Sequence, residues 1–375
     1  MIAWFRYICL IVSLIITLPE LLSAQRLVSQ RQEDVEAGLL YNESVYILSN
    51  YSCLSSNSPE KLSLDELLRK QIEGFYFYLK RDTETNVLLL RKPDGTFTPF
   101  SESLEAIKTA LDADSTKVMT LFLDFYVEME LESSFKEIGL MEYVLEYDTK
   151  NGWPSLKDML SSGKRLVVFE VQKHLNSPSW LHNMRDFVEH TDADWGNQPE
   201  GVESFDERLK KNLSLFTGYK FLETSRGNSN DISALARQTP YLIESFKRAW
   251  IRDGRVPNFV LVDKYYAWLD VSLVTFRNFD IIYGAVTNNN ELLNYVNWDG
   301  MSNYTTGKYC FPLEPGAELM LSPISPGYRI EPATVYVSGT QRKAFAGDFK
   351  ARPLRIDEDI EIYLPFEGDE KDGSS

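Results

Sequence analysis

The sequence predicts an α/β protein, a (β/α) barrel followed by a small β-rich appendage. Three observations predict it. Short apolar runs alternate with helical patterns, which argues for parallel strands joined by crossover helices. About eight such runs fall within roughly 270 residues, which fits a closed barrel better than an open sheet. From about Gly307 the pattern changes to frequent Pro and Gly with alternating apolar residues, as in "GAELMLSPISPGYRIEPATVYVSG".

The strand runs are Val45–Leu48, Phe75–Lys80, Val87–Leu90, Lys117–Phe125, Arg165–Val171, Leu213–Phe221, Phe259–Asp263 and Phe279–Ala285. Helical patterns fall at Ser63–Ile72, Ser101–Leu111, Glu132–Ile138, Ser155–Leu160, Ile232–Ala236, Leu242–Asp253 and Asn289–Tyr295, with Ser101 and Ser155 as N-caps. The short step from Lys80 to Val87 reads as a hairpin and interrupts strict alternation. Ser177–Arg208 is polar with weak periodicity and reads as a long surface loop. The expected organisation is a signal peptide (1–24), a polar lead-in (25–44), the barrel (45–306), a β-rich module (307–366) and a disordered acidic tail (367–375).

The N-terminus supports an exported protein. Arg6 precedes a short apolar run, Ile8 to Leu18, and Leu22-Ser23-Ala24 ends in small residues, as a cleavage site does. Without that segment no later stretch approaches a transmembrane length. The net charge of −16 excludes a nucleic-acid backbone as the main partner, because phosphate binding needs clustered Lys and Arg. Outside the leader only Cys53 and Cys310 remain. They are either a single bridge or two buried thiols, and not a disulfide scaffold. Four Asn-x-Ser/Thr sequons stand at Asn42, Asn50, Asn212 and Asn303.

Two stretches carry a resemblance. The first holds Gly139-Leu140, Trp153-Pro154-Ser155-Leu156, Met159 and Gly163-Lys164-Arg165-Leu166-Val167-Val168-Phe169. The second is Pro257-Asn258-Phe259, Val262-Asp263, then Lys264 and Tyr265. In this order and separation they resemble the phosphatidylinositol-specific phospholipase C X-domain superfamily, the PLC-like phosphodiesterases, over roughly Val45 to Ala285. The resemblance implies a distorted TIM-type barrel. The motifs themselves read as structural: Pro154 suits a first helical turn, Trp153 a barrel wall, and Gly163 a helix end. A fold does not fix a function.

The resemblance also implies a chemistry, which this chain departs from. The family uses two histidines as general base and general acid, with calcium or an arginine stabilising the phosphorane. Here Ser49 or Asn50 stands at the first histidine position, and Arg91 or Lys92 at the second. At the metal stretch, "GFYFYLKR" places Tyr76 and Leu79 where the family has Arg and Asp, and Arg81 falls where bacterial members carry a phosphate-binding arginine. Losing one acid–base group costs about 10²–10⁴ in rate. Losing both predicts little activity by the family route.

The chain's three histidines, His174, His182 and His190, are spaced eight apart and form no i,i+4 metal pair. Arg81, Arg91 and Lys92 form either a cationic mouth or a solvated turn. Asp263, Lys264 and Tyr265 end a barrel strand, where active sites of this architecture collect, or form an ordinary loop. Asp124 and Glu170, at the ends of buried strands, read as a shifted acid–base pair or as structural charges. The clusters "GFYFYL", "DKYYAW" and "NYVNWDG" suit a carbohydrate or lipid groove, or core packing. Two functions follow. The first is a barrel that has lost the acid–base pair and binds a phosphoinositide-like, phosphodiester or glycan ligand, or a protein, at its mouth through Asn50, Arg81, Arg91, Lys92, Asp124, Glu170, Asp263, Lys264 and Tyr265, with no cofactor. The second is an active phosphodiesterase with displaced groups, with calcium as its metal.

Overall fold

The computed structural model describes residues 31–53, 63–70, 72–126, 131–172, 174–192, 215–219, 247, 250–251, 254–262, 277–299, 304–305, 307–339 and 342–355. The expected leader, the acidic tail, the helix at Ile232–Ala236 and most of Leu242–Asp253 lie outside them. Ten strands form the larger sheet: β1 Tyr46–Ser49, β2 Gly74–Arg81, β3 Leu88–Arg91, β4 Phe97–Pro99, β5 Met119–Asp124, β6 Leu166–Glu170, β7 Leu181–Asn183, β8 Val188–Asp192, β9 Leu215–Tyr219 and β10 Phe259–Val262. Eight run parallel in the order β7-β6-β5-β2-β1-β10-β9-β8. The ribbon β3–β4 hangs from β2 by antiparallel pairing.

This order is cyclic. The first parallel strand pairs with the last, and only the consecutive strands β7 and β8 lack a mutual ladder among the described residues. Among the described residues the closed barrel expected from the alternation is therefore not formed, the sheet staying open at that seam. It is nevertheless strongly curled. The rings of Phe169 on β6 and Phe259 on β10 lie 6.1 Å apart although three strands separate them. In a flat sheet four strand spacings put them about 19 Å apart. Phe122 bridges the two, at 5.1 Å from Phe169 and 5.2 Å from Phe259. Tyr41 and Trp153 add to this aromatic floor on the inner face. Gly74 permits the tight approach of β2 to β5, since a Cβ there would stand 2.2 Å from the carbonyl oxygen of Thr120.

Several expectations are corrected. Ser177–Arg208 is not a plain loop, for it holds β7 and β8. Their three and five residues are too short and too polar to show periodicity. Phe279–Ala285 is a strand, but it belongs to a second sheet. Asp280–Asn288 (β11) pairs with Lys308–Leu313 and Lys343–Pro353, so the β-rich region begins near Asp280 instead of Gly307. It has its own core, including Ile282, Trp298, Tyr309, Phe311 and Phe349. The helix expected at Asn289–Tyr295 is a turn with a short strand, Glu291–Leu292, and both Asn289 and Asn290 have positive φ. The polar lead-in is helical at residues 31–36, where Arg31 and Asp34 are buried.

The caps follow local chemistry. Ser155 caps Leu156–Ser162 by accepting from the backbone N–H of Asp158 at 3.1 Å, and Gly163 ends that helix in the left-handed region. Pro154 thus precedes the cap and is not in the first turn. Ser101 is no cap, because the helix Phe100–Ala113 begins before it. Arg165 is buried and donates to the carbonyls of Leu111, Asp114 and Lys117. This explains a basic residue at the entrance of an apolar strand: it satisfies the last turn of the neighbouring helix.

A buried ionic network lies at the N-terminal ends of the parallel strands. Glu73, just before β2, accepts from Arg31 and Arg277 and from the backbone N–H of Ile47. Arg342, just before the long strand of the second sheet, pairs with Asp34 at 2.5 Å and donates to the carbonyl of Phe279. Lys343 pairs with Glu43 at 2.6 Å. These contacts tie the second sheet to the base of the first.

Candidate functional site

The opposite, C-terminal ends of the strands hold most of the residues singled out by sequence. In parallel pairs, residues in register share a face. Tyr76 is in register with Phe122 and Tyr78 with Asp124, so all four sit on the inner face. Asp124 stands one step above the aromatic floor. The Tyr76 hydroxyl donates to its Oδ2 at 2.7 Å. Its other oxygen, Oδ1, is buried and accepts no hydrogen bond among the described residues. Tyr126, two residues on, is 70% exposed, and its ring lies 6.2 Å from that of Tyr78. Among the described residues one oxygen of this carboxylate thus lacks a donor, while the other is held by Tyr76. No described Lys, Arg or His forms an ion pair with Asp124.

Ser49 ends β1, is buried, and lies in register with Phe75, facing away from the floor. Asn50 follows it and is buried. Ser52 accepts from the backbone N–H of Tyr78 at 2.8 Å and donates to the carbonyl of Arg91 at 2.9 Å, which ties the loop after β1 to β2 and β3.

The structure does not bring the three basic residues together. Arg81 is in register with Leu88, and Arg91 lies three residues further along β3. Alternation puts the two on opposite faces of the ribbon. Arg81 donates to Asn86 in its own turn at 3.1 Å, and its Nε is buried without an acceptor among the described residues. Arg91 is exposed, and Lys92 sits in the turn that closes on Thr96.

Asp124 and Glu170 are not brought together either. Glu170 is in register with Leu123, so it sits on the outer face. It is 1% exposed and fully engaged. Its Oε2 meets Nδ1 of His174 at 3.0 Å and the Ser177 hydroxyl at 2.6 Å, and its Oε1 accepts from Asn183 at 3.2 Å. The His174 ring stacks on Phe125 at 4.4 Å. This cluster fastens the β6–β7 connection. Charge spacing in the sequence could not reveal it, because Ser177 and Asn183 read as loop residues. His182 points to the floor, among Trp153, Phe169 and Phe187, with Nε2 3.1 Å from the carbonyl of Leu145. Burial holds its pKa below the usual imidazole range. His190 lies on β8, with its side chain outside the described residues, as are Asp263, Lys264 and Tyr265.

The thiol of Cys310 is free and buried, and it accepts from the Trp250 indole N–H at 3.1 Å. Of the two cysteine alternatives, the bridge is therefore not formed. Burial pushes the thiol pKa up to about 12.

Residues 90–199, which run from the ribbon through β5 and β6 to just beyond β8, match the sequence model of the PI-PLC X family (PI-PLC X 1). Over this segment, less than a third of the chain, the sequence is similar to that family. The matched segment contains Asp124, Glu170 and the Trp153–Phe169 motif. Among solved structures, a double mutant of the phosphatidylinositol-specific phospholipase C from S. aureus is 14% identical over 65% of this chain and 95% of its own, with a TM-score of 0.43. The enzyme from Listeria monocytogenes is 13% identical over 65% and 98%, with a TM-score of 0.41. PLC21 of L. pealei is 14% identical over 36% and 19%, with a TM-score of 0.28. No curated protein matches the chain.

Proposed function

We propose that this is an exported member of the superfamily that binds a phosphorylated or sugar-containing ligand at the C-terminal ends of its parallel strands, and does not cleave it by the two-histidine route. The curled eight-strand sheet is read here as a distorted TIM-type barrel opened between β7 and β8. The supporting observation is Asp124: an inward carboxylate bound by the Tyr76 hydroxyl, with one buried oxygen lacking a donor and with no Lys, Arg or His paired to it among the described residues. Hydrolysis by general acid–base catalysis needs two proton-transferring groups within reach of one phosphodiester. Neither Ser49 nor Asn50 at the first family histidine position, and neither Arg91 nor Lys92 at the second, can exchange a proton near neutrality at its ordinary pKa. Export rests on the leader pattern, and no described helix is long and apolar enough to cross a membrane.

A second reading is an active phosphodiesterase with displaced groups, and the Glu170–His174 contact favours it. Its weakness is geometric, because that pair occupies the outer face while Asp124 occupies the inner one. Turnover separates the two readings. The purified protein is assayed for release of inositol phosphate from phosphatidylinositol and for cleavage of a glycerophosphodiester panel, with calcium, magnesium or chelator. The expected result is no turnover. Turnover that disappears in His174→Gln would establish the second reading.

A further inference from the structure

The β-rich region that follows the parallel sheet carries a surface with no part in the reading above. Two strand pairs roof its core. Val296–Trp298 pairs with Pro323–Ile324, and Glu318–Leu321 pairs with Val335–Ser338. The run from Glu318 to Ile324 serves both pairs, and the Ser322 and Thr334 hydroxyls, 2.9 Å apart, bridge its middle. Alternation sends Val296, Trp298, Leu321 and Val335 into the core. The residues between them face solvent. Met320 stands directly opposite Tyr336, and Ile324 opposite Asn297, with Tyr295 two residues before Asn297 on the same side. Tyr336 is 75% exposed, Ile324 52%, and Met320 and Tyr295 43% each. Along the strand direction Tyr336 and Tyr295 stand about 20 Å apart, with Met320 and Ile324 between them. Large apolar side chains gathered on one open face mark a contact surface.

The charges on this face decide what it takes. It holds two exposed carboxylates, Asp299 and Glu318, and no Lys, Arg or His. On a chain of net charge −16 this excludes an anionic partner. Insertion into a bilayer would have to desolvate both carboxylates. A basic peptide calls for clustered carboxylates. Asp299 lies beside Ser322, so these two stand about 13 Å apart along the strands. A neutral, hydroxyl-rich chain meets every condition. Its C–H faces pack on the tyrosine rings and on Met320 and Ile324, and its hydroxyls donate to the carboxylates and exchange hydrogen bonds with the exposed Asn297 and Thr334. We infer that the face running from Tyr336 to Tyr295 docks an extended neutral glycan chain. Tyr336 with Met320 holds one part of that chain, and Ile324 with Tyr295 holds another.

The test is affinity electrophoresis of the full protein through gels holding hydroxyethylcellulose, galactomannan or a β-1,3-glucan, all neutral polymers. Flotation with phosphatidylcholine vesicles and titration with a labelled Lys-rich peptide run beside it. The expected result is retardation by at least one neutral polymer, with neither vesicles nor peptide bound. Tyr336→Ala and Ile324→Ser should each weaken the affinity drawn from the retardation series by about tenfold. More than half of each side chain is exposed, so both variants fold. Leu175→Ser, at a residue 99% exposed beside the parallel sheet, should change nothing. Retardation by none of the neutral polymers, or retardation indifferent to both substitutions, would overturn the inference. So would binding of vesicles or peptide that Tyr336→Ala abolishes. The reading of the strand ends rests on other residues and is untouched by any of these results.

Discussion

The two ends of the parallel sheet are built on different principles. At the N-terminal end, Glu73 takes two guanidinium groups and a backbone N–H, Asp34 takes a third guanidinium, and chain segments far apart in sequence are locked together. Nε of Arg31 and of Arg277 is left without an acceptor, yet every charge there has a counter-charge. At the C-terminal end, Asp124 has no counter-charge among the described residues, and one of its oxygens waits for a donor. Buried charges survive by pairing, whereas a buried polar atom left without a partner carries a desolvation cost. One end holds the molecule together, and the other is where we propose that a ligand binds.

The largest expected break of this contrast is Glu73→Ala. It leaves Arg31 and Arg277 buried without their shared carboxylate. Removing one partner of a buried pair costs about 3–5 kcal/mol. Urea unfolding should show that loss, and loosened contact between the two sheets should follow, because Arg277 precedes β11. A smaller effect is expected from acid. His182 is held neutral by burial, so its folded pKa lies below its unfolded value. The unfolded chain then binds the extra proton, and this contribution to stability is present above the unfolded imidazole pKa and is lost as pH falls from it toward the folded one. His182→Leu should flatten that part of the stability–pH curve, measured by chemical unfolding at several pH values. Cys310 should show the smallest change in folding but a clear chemical signature. With its thiol pKa at about 12 and its sulfur buried, it should resist alkylation at pH 8 until the protein is unfolded.

The sequence made some of this contrast legible. Runs such as Leu166–Phe169 are apolar enough to announce a buried parallel strand, and Ser155 with Gly163 brackets its preceding helix. β7 and β8 stayed hidden because three and five residues, several of them polar, carry no period. The second sheet begins early because Asp280–Asn288 is as apolar as a barrel strand, and only its pairing partners, up to 63 residues later, decide where it belongs. For the site, the strand ends were legible as places, but facing was not. Asp124 and Glu170 look equivalent in sequence, and a one-residue difference in register sends one inward and the other outward. Tyr76 was read as a missing arginine. It is the group that holds the carboxylate.

Asp124 is the residue at which the proposed division between the two ends of the sheet is tested most directly. Asp124→Asn keeps an acceptor for the Tyr76 hydroxyl while removing the charge. The measurement is its unfolding free energy in urea alongside its affinity for myo-inositol and glycerophosphoinositol by ligand-observed NMR titration. The account predicts stability within about 0.5 kcal/mol of wild type, or above it, together with at least tenfold weaker binding. Destabilisation by about 2 kcal/mol or more, with binding unchanged, would make Asp124 a structural group and contradict the division between the two ends of the sheet.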